Sequence, residues 1–482
     1  MEMEASIPEQ VLQPLLSASK NPSRSLEECL EFLIEASKTD SGRSDLASKA
    51  ILPSIIALLQ LLPYPSSRHY LNLSLKVLRN LCAGETKNQE AFVNHNGSVV
   101  LSELLDSAIG DDVETVRFGL QVLANVVVMG ENRQRDVWLH FFPEKFLSIA
   151  KVRRRETCDP LCMILYVCFD GNSSEEIASQ LCSNEGLNII AETLRTSSSV
   201  GSVEDYWLKL LVSRLCVEGD CFPSLFSKLA HKNETFTSEH AFLLRMVSDI
   251  ANERLKEVSI PKDTAHFVLG VLKRSVEVFY YVSAERSELP TGSTVIDVMG
   301  YSLVIIRDAC AGGSLEELKN ANNDDSGGGG NVEMLLSSGL IELLLDLLRK
   351  LEPPTTIKKA LKQSPTTSSS GKPCPYIGFR RDIVAVIGNC AYRRKEVQDE
   401  IRERDGLFVM LQQCVTDDEN PFLREWGLWC VRNLLEGNEE NQKVVAELEM
   451  QGSVDVPQLR EIGLRVEIDP VTSRPKLVND TT

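Results

Sequence analysis

Apolar residues recur at every third or fourth position through most of this 482-residue chain, which is the spacing of amphipathic helices. One early segment places Leu26, Cys29, Leu30 and Leu33 on a single helical face. A later segment, HYLNLSLKVLRNLCAG, carries a similar stripe and closes at Gly84, as a left-handed helix C-cap would. Strand-like alternation is confined to the end of the chain, around Asp469-Pro470, where it predicts a short hairpin or extended cap. The pattern therefore predicts an all-α protein.

One phrase occurs four times along the chain, and it organises the helices into repeats. An Asn near the end of an apolar helical run is followed nine residues later by a Gln in LRNLCAGETKNQ, LANVVVMGENRQ, IGNCAYRRKEVQ and VRNLLEGNEENQ. The first two copies are 45 residues apart, from Asn80 to Asn125, and the last two are 44 apart, from Asn389 to Asn433. Helical repeats of the armadillo and HEAT type have periods of about 40–47 residues. The chain is therefore predicted to be a helical-repeat solenoid.

The order of elements within a unit resembles the armadillo repeat. A long helix ends in the Asn phrase, a Gly-containing turn follows, then a short helix closed by Gly97 or Gly406, then a helix ending in Leu-Leu. The resemblance implies an armadillo-like right-handed α-solenoid. About five further units would fill the gap between Asn125 and Asn389. Candidate copies that have lost the Asn are residues 163–171, 210–219 and 304–313, while residues 238–282 are helical by periodicity but have no assigned phase.

Composition shifts divide the chain. Residues 320–331 form a predicted flexible Gly-rich loop. In the helical stretch that follows, Gly339 is matched to the turn glycines Gly97 and Gly406. Residues 353–375 are rich in Ser, Thr and Pro and are predicted to be disordered. The predicted organisation is armadillo-like repeats over 1–319, the two loops flanking solenoid helices at 332–352, C-terminal repeats over 376–468 and a tail at 469–482.

Charge and cysteine content narrow the function class. A net charge of −18 argues against nucleic-acid binding and favours protein partners with basic segments, although solubility alone also explains it. The 13 cysteines form no CxxC pair, and several, such as Cys82, Cys168 and Cys430, fall on apolar faces. Such cysteines are typical of core positions in a reducing compartment. We expect a cytosolic protein, with nuclear entry left open, no membrane insertion, and self-association undecided.

No catalytic motif is present. The chain lacks GxSxG, a Walker-type loop and a GxGxxG after a strand, and its histidines have no metal-ligand spacing. We therefore expect no enzymatic activity, no cofactor and no metal.

The repeated Asn is the leading candidate for partner contact. In armadillo arrays the long third helices line a concave groove, where Asn side chains hydrogen-bond the backbone of an extended peptide. By this resemblance Asn80, Asn125, Asn389 and Asn433 would face the groove, with Arg79 and Arg432 beside two of them. The alternative is that each amide satisfies a helix-end carbonyl or a neighbouring helix. Both interpretations stay open on the sequence alone.

Trp429 lies one helical turn before Asn433, which predicts that both side chains share a face. The pair resembles the Trp–Asn ladder with which importin-α proteins hold basic localisation peptides. The equivalent positions are Lys76, Gln121 and Ala385, so only one rung is present. An importin-like adaptor is therefore the alternative function rather than the leading one.

The segment DDENPFLREW reads first as the start of a helix. Asn420 is a good N-cap and Pro421 a good first-turn residue, and this placement would hide Phe422 in packing. NPF is also a ligand motif of EH-type domains, which would require Phe422 to be accessible.

Residues 376–468 resemble the C-terminal domain of the ataxin-10 family. The matching features are RRDIVAVIGNCAY, VQDEIRERDGL, CVTDDENPFLREWGLWCVRNL and EGNEENQ. The family's DxNPFxREW signature falls on the residues Asp418, Asn420, Pro421, Phe422, Arg424, Glu425 and Trp426. The resemblance implies a non-enzymatic armadillo-like scaffold linked to cell division, cytokinesis and cell survival or differentiation. Most signature residues are expected to pack between repeats, and Arg424 and Glu425 are candidates for partner contact.

Overall fold

A computed structural model describes residues 24–128, 130–170, 175–200, 205–254, 257–279, 287–320, 331–361, 371–447, 464–468 and 475–479. It is an α-solenoid, as the sequence predicts. The first half contains α1 (Arg24–Ala36), α2 (Asp40–Ser48), α3 (Ile51–Leu61), α4 (Arg68–Cys82), α5 (Thr86–Asn94), α6 (Gly97–Ala108), α7 (Val113–Val127), α8 (Glu131–Phe141), α9 (Glu144–Ala150), α10 (Arg155–Asp170), α11 (Glu175–Leu181), α12 (Asn184–Val200) and α13 (Tyr206–Val212).

A π-helical turn, Ser213–Val217, extends α13. The second half contains α14 (Phe222–Lys228), α15 (Ser238–Glu253), α16 (Lys262–Phe279), α17 (Thr294–Asn320), α18 (Asn331–Ser337), α19 (Leu340–Lys350), α20 (Thr355–Leu361), α21 (Phe379–Ala391), α22 (Lys395–Glu403), α23 (Gly406–Leu411), α24 (Leu423–Leu435) and α25 (Glu439–Ala446). Strands β1 (Leu464–Ile468) and β2 (Pro475–Asn479) follow.

One layer of the solenoid consists of the helices that carry the Asn phrase or its equivalent. Each packs on the next in chain order, and we call them the third helices: α1, α4, α7, α10, α13 with its π-turn, α15, α17, α21 and α24. The other helices lie between them in sequence and pack against them, so that the apolar stripes form one continuous core. The predicted stripe of α1 is part of it, since Leu26, Cys29, Leu30 and Leu33 are all buried.

The middle of the array keeps the fold without the Asn. Residues 163–170 lie in α10, residues 210–217 in α13 and its π-turn, and residues 304–313 in α17, so all three degenerate copies fall on third helices. The segment without an assigned phase contributes α15 and α16. Four third helices, not five, separate α7 from α21. The estimate of about five units was wrong because the long helices α16 and α17 and the insertions after α17 and α20 lengthen their units.

A left-handed residue ends the third helix wherever the structure describes that position after an Asn phrase. Gly84 has φ 70° and Gly437 has φ 71°, and each lies four residues after its Asn. The equivalent position after Asn389 is Arg393, which adopts φ 56° despite its side chain. The predicted cap at Gly84 is confirmed, and Arg393 shows that the geometry belongs to the repeat rather than to glycine.

The turn between the two helices that follow a third helix, such as α5 and α6, also has a fixed form. It shows that Gly339 was aligned with the wrong position. Asn96 and Asp405 take the left-handed conformation, and the glycine after each begins the next helix. A Cβ on Gly97 would lie 2.5 Å from the Phe92 ring, so close approach requires the glycine. Gly339 itself has φ 77° and precedes α19. It therefore corresponds to Asn96 and Asp405, one position before Gly97 and Gly406, and the match made from sequence was wrong by one residue.

The segment 353–375 is partly ordered, contrary to the prediction of a disordered loop. Helix α20 occupies Thr355–Leu361, and Leu351 pairs with Lys372 in a parallel bridge. Thr355 Oγ1 donates to Asp417 at 3.1 Å, which attaches this helix to the loop before α24. A composition rich in Ser, Thr and Pro gives no indication of these tertiary contacts. Residues 321–330 and 362–370 lie outside the described part of the chain.

The C-terminal alternation forms the predicted hairpin, with β1 and β2 antiparallel and Val466 opposite Leu477. The boundary placed between residues 468 and 469 therefore divides one hairpin. At the end of the described stack, Leu428 and Trp429 on α24 are 52% and 46% exposed. The equivalent residues one repeat earlier, Val384 and Ala385, are buried. The difference arises because α24 covers α21.

Among the described helices, none alone is long and apolar enough to cross a membrane. Helices α2 and α3, bent by 79° at the break between them, satisfy that test only when taken together, by length and composition.

Candidate functional site

The four Asn side chains that were expected in the groove all donate to backbone carbonyls of the preceding third helix. The bonds are Asn80 Nδ2 to the Ile34 carbonyl at 3.3 Å, Asn125 Nδ2 to Arg79 at 2.9 Å, Asn389 Nδ2 to Arg307 at 3.4 Å and Asn433 Nδ2 to Gly388 at 3.0 Å. Ile34, Arg79 and Gly388 lie in the last turn of their helices, where carbonyls have no intrahelical partner. Arg307 lies within the longer α17, and its bond is the longest. Three of the amides thus bond helix-end carbonyls and Asn389 bonds a carbonyl within the neighbouring helix α17, while a peptide contact at these residues stays a prediction.

The Gln of the repeated phrase completes this connection, a role that the sequence analysis did not assign. Gln398 Nε2 donates to the carbonyl of Asn433 at 2.8 Å and lies 3.2 Å from the carbonyl of Ala391. Gln89 Nε2 does the same with Asn125 at 3.0 Å and Cys82 at 2.8 Å. The fixed spacing of nine residues was the available signal. Asn and Gln together attach α7 and α24 to the repeat before each of them.

Trp429 and Asn433 do not present a common accessible surface. Trp429 is 46% exposed and carries the Arg432 guanidinium 5.2 Å from its ring centroid, whereas Asn433, one turn later on the same helix, is buried against α21. Arg79 donates to the side-chain oxygens of Asn80 and Gln121. The two residues lie one turn apart on α24, as predicted, but only Trp429 is accessible, because the Asn433 amide bonds the Gly388 carbonyl of α21.

Asn420 is not the N-cap of a helix, and the interpretation of DDENPFLREW is corrected here. Helix α24 begins at Leu423, with Phe422 at its N-cap in the left-handed conformation. Asn420 is buried, accepts the backbone N–H of Arg380 at 2.9 Å and donates to Asp417 at 3.0 Å. The buried Arg380 side chain lies 3.9 Å from Asp417 and donates to Gln413 at 3.0 Å. Asn420 therefore joins the loop before α24 to the start of α21.

Of the other signature residues, one packs against the core and the rest are exposed to solvent. Trp426 is partly buried against the core, while Pro421, Arg424 and Glu425 are exposed. Phe422 is 69% exposed, so the expectation that packing hides it was wrong. Asp418 is exposed as well and forms an ion pair with Lys359 at 3.1 Å. The left-handed N-cap explains the outcome, because it directs Phe422 away from the helix interface.

A groove in the middle repeats was not predicted. It has a volume of about 500 Å³ and crosses the third helices α10, α13 and α15 at the π-helical turn. Side chains that line it include Tyr166, Asp170, Tyr206, Arg214, Glu253 and Arg254. The groove lies in repeats that lack the Asn phrase, so the repeated phrase gives no indication of its position. The available signal was the polar and aromatic residues on these helices, such as Tyr166, Tyr206 and Arg214.

The charges in this groove are paired with one another. Lys209 reaches Glu253 at 2.6 Å, Arg214 lies 3.2 Å from Asp170, and Arg254 lies 2.6 Å from Glu218. Hydrogen bonds from Arg214 and Arg254 outweigh burial and lower the pKa of the Glu218 carboxyl. Tyr206 is 61% exposed at the rim. The groove therefore offers aromatic surface and rearrangeable ion pairs, which suits recognition more than catalysis.

The predicted core cysteines are buried, among them Cys82, Cys168, Cys216, Cys390 and Cys430. Burial raises the pKa of Cys168 to about 12, so the thiol stays protonated. Within the described ranges, no cluster of three or more His, Cys, Asp or Glu residues is arranged to hold a metal ion.

Comparison with known proteins finds similarity to ataxin-10 proteins. Residues 379–477 match the model of the spinocerebellar ataxia type 10 protein domain. The chain is 27% identical to ataxin-10 of Bos taurus over 416 residues, covering 83% of this chain and 81% of that protein. Ataxin-10 of Homo sapiens is also 27% identical, over 420 residues, with the same coverage. An ataxin-10 homolog of Dictyostelium discoideum is 36% identical over 91 residues, covering 19% of this chain and 15% of that protein.

Among solved structures, an engineered protein is similar with a TM-score of 0.35 and 13% identity, covering 89% of this chain and 99% of its own. A designed armadillo repeat protein in complex with the peptide (KR)4 has a TM-score of 0.35 and 14% identity, covering 50% of this chain and 98% of its own. Residues 379–477 thus match the spinocerebellar ataxia type 10 protein domain, and most of the chain is similar to ataxin-10 proteins.

Proposed function

We propose that this protein is a non-enzymatic scaffold that binds an extended segment of a partner protein along its third helices. The observation that carries the proposal is the groove of about 500 Å³ across α10, α13 and α15. Stacked helical repeats build elongated surfaces of this kind, and partners bind along them.

The composition of the groove supports binding of a polypeptide. Tyr206 and Tyr166 offer large contact areas at a small cost in conformational entropy, because each side chain has few rotatable bonds. The ion pairs of Arg254 and Lys209 are partly exposed, and such pairs contribute little to stability. An incoming peptide can therefore exchange partners with them at little cost. The π-helical turn beside them is a feature that is frequent at functional sites.

The proposal is tested with Tyr206→Ala in the full chain. Partners recovered from the native cell extract are quantified, and the segment that binds is then mapped with a peptide array and titrated. Removal of the exposed ring is expected to weaken the mapped segment about tenfold or more, as for an aromatic anchor at an interface. Phe408→Ala is the matched control, because Phe408 is 57% exposed on α23, outside the groove. Equal affinity for all three proteins would contradict the proposal.

The non-enzymatic part rests on the family and on the groove, whose charged side chains are engaged with one another rather than aimed at a common point. Substrate turnover by the purified protein that disappears with Tyr206→Ala would overturn it.

Family resemblance and buried thiols support two further proposals, that the partners act in cell division or cytokinesis and that binding takes place in the cytosol. Depletion followed by counting of multinucleate cells tests the first, and fractionation tests the second.

The importin-like alternative has one exposed indole, Trp429, and it stays a prediction. Titration with a basic localisation peptide decides it, since affinity no better than about millimolar excludes cargo capture.

A further inference from the structure

Three cationic side chains surround one aromatic ring on the third helices α4 and α7. The Nζ of Lys76 lies 4.8 Å from the centroid of the Phe118 ring, and the guanidinium carbons of Arg117 and Arg79 lie 4.7 Å and 5.9 Å from it. Phe118 is 4% exposed, so its ring is a fixed platform, while the three cations are partly exposed. We call these three residues the cationic cluster. It is separated along the stack from the groove at α10, α13 and α15.

The positive charge of this cluster is poorly compensated. Lys76 and Arg79 form no ion pair with any residue that the structure describes, and Arg117 lies 3.8 Å from Glu114. Glu114 also accepts a hydrogen bond from Asn72 at 3.5 Å. Burial, and then the charge of Arg117, lower the pKa of Arg79. Within a chain of net charge −18, three neighbouring cations with a single ion-paired carboxylate, Glu114, form a local field of opposite sign.

Arg79 is held in place by neutral groups. Its Nε and one terminal nitrogen donate to Asn80 Oδ1 at 3.1 Å and 2.9 Å, and its other terminal nitrogen donates to Gln121 Oε1 at 3.1 Å. These bonds orient the guanidinium without neutralising it. Asn80 in turn is anchored to α1 through Ile34. Arg79 is thus preorganised, and an anionic ligand would not have to order its side chain.

We propose that the cationic cluster binds an acidic segment, rich in Asp and Glu, of a protein partner. The inference deepens the proposed scaffold function and rests on it. Lys76 and Arg117 stand on neighbouring helices, whose axes pack about 8–10 Å apart. An extended peptide advances about 3.3 Å per residue, so carboxylates two or three residues apart can reach both cations. The overall acidic charge predicted basic partner segments. At this position the local charge is positive and favours an acidic partner segment.

The test uses the full chain and a fluorescein-labelled octapeptide of glutamate, with fluorescence anisotropy as the readout. Wild type is expected to bind it, with affinity that falls as salt rises from about 50 to 200 mM, since the contact is electrostatic. The variant that combines Lys76→Glu and Arg117→Glu is expected to bind about tenfold or more weakly. Arg79 is left unchanged because its hydrogen bonds hold α4 and α7 together.

The matched control combines Lys87→Glu and Lys232→Glu, which changes the net charge equally at exposed positions away from the cluster. It is expected to bind the peptide within about twofold of wild type. Equal weakening in both double variants would show non-specific attraction and overturn the proposal. Preference for an octapeptide of lysine, or for single-stranded RNA, would overturn it as well.

The result is independent of the scaffold test. If Tyr206→Ala abolishes partner binding while the glutamate peptide does not bind, the scaffold function stands and the acidic-segment inference fails. If the glutamate peptide binds at the cluster but Tyr206→Ala has no effect, the middle groove is the part that fails.

Discussion

Gln398 donates through Nε2 to the backbone carbonyl of Asn433 at 2.8 Å, while Asn433 donates through Nδ2 to the carbonyl of Gly388 at 3.0 Å. Both side chains are buried, and they connect α22 to α24 and α24 to α21. The repeated Asn–Gln spacing is therefore a pair of contacts between successive units. The role of these residues in stability and their predicted role in binding can be separated by experiment.

Asn433→Ala is expected to lower the free energy of unfolding by about 1–3 kcal/mol, because the Gly388 carbonyl stays buried without its donor. The measurement is urea denaturation of the full chain. Asn94→Ala, at an exposed position at the end of α5, is the control and should change stability by less than about 0.5 kcal/mol. A loss of partner affinity with unchanged stability would instead favour the groove role.

Arg393→Gly is expected to stabilise the protein by about 0.5–1 kcal/mol. Arg393 has φ 56°, a conformation that disfavours residues with a Cβ and that glycine adopts freely. Gly437→Ala at the equivalent position should lower stability by a similar amount, since an added Cβ there meets no atom within 4 Å and only backbone strain acts. Thermal unfolding of both variants checks the opposite signs. No gain in stability in Arg393→Gly would show that the contacts of the Arg393 side chain stabilise the protein by more than its backbone conformation costs.

Asn420→Ala and Phe422→Ala are expected to differ sharply, although the residues are two positions apart. Asn420 bonds both Arg380 and Asp417 in a buried site, so its truncation should cost about 1–3 kcal/mol. Phe422 is 69% exposed, and its truncation should cost less than about 0.5 kcal/mol. Chemical denaturation of the two variants gives the comparison. A large loss for Phe422→Ala would mean that a further segment covers this ring in solution.

Acidification is expected to destabilise the region around α15 through His240. Burial lowers the pKa of His240, and its Nδ1 accepts the backbone N–H of Thr237 at 2.9 Å, which requires the neutral ring. Its Nε2 is 2.9 Å from the carbonyl of Phe226. Because the folded-state pKa lies below the value of 6.5 expected when unfolded, the unfolded state binds the proton more readily. The stabilisation is therefore present above pH 6.5 and is lost as the pH falls through the folded pKa.

Unfolding free energies at about pH 7.5 and 5.5 test this expectation. His240→Gln should show a smaller difference between the two pH values than wild type. His95→Gln, at an exposed position, should retain the wild-type difference. An unchanged pH dependence in His240→Gln would assign the effect to other groups.

Sequence patterns predicted the fold because they are local. The stripe of α1, the left-handed cap at Gly84 and the third helices of the degenerate copies all follow from apolar spacing and turn chemistry within one unit. The same reasoning failed at Asn420, since an Asn-Pro pair is an ordinary helix start and nothing nearby in sequence shows its bond to Arg380. It also failed at α20, where contact with Asp417 orders a segment of disorder-like composition.

The sequence by itself determined the helical repeat, its period and the family resemblance, because these depend on residue types at fixed spacing. Only the tertiary structure decided which side chains meet across units. It turned the Asn amides toward neighbouring helix ends, left Phe422 in solvent and placed Lys76 and Arg117 around Phe118. The physical reason is that the packing of successive third helices fixes the neighbours of each side chain, and no spacing within one helix specifies them.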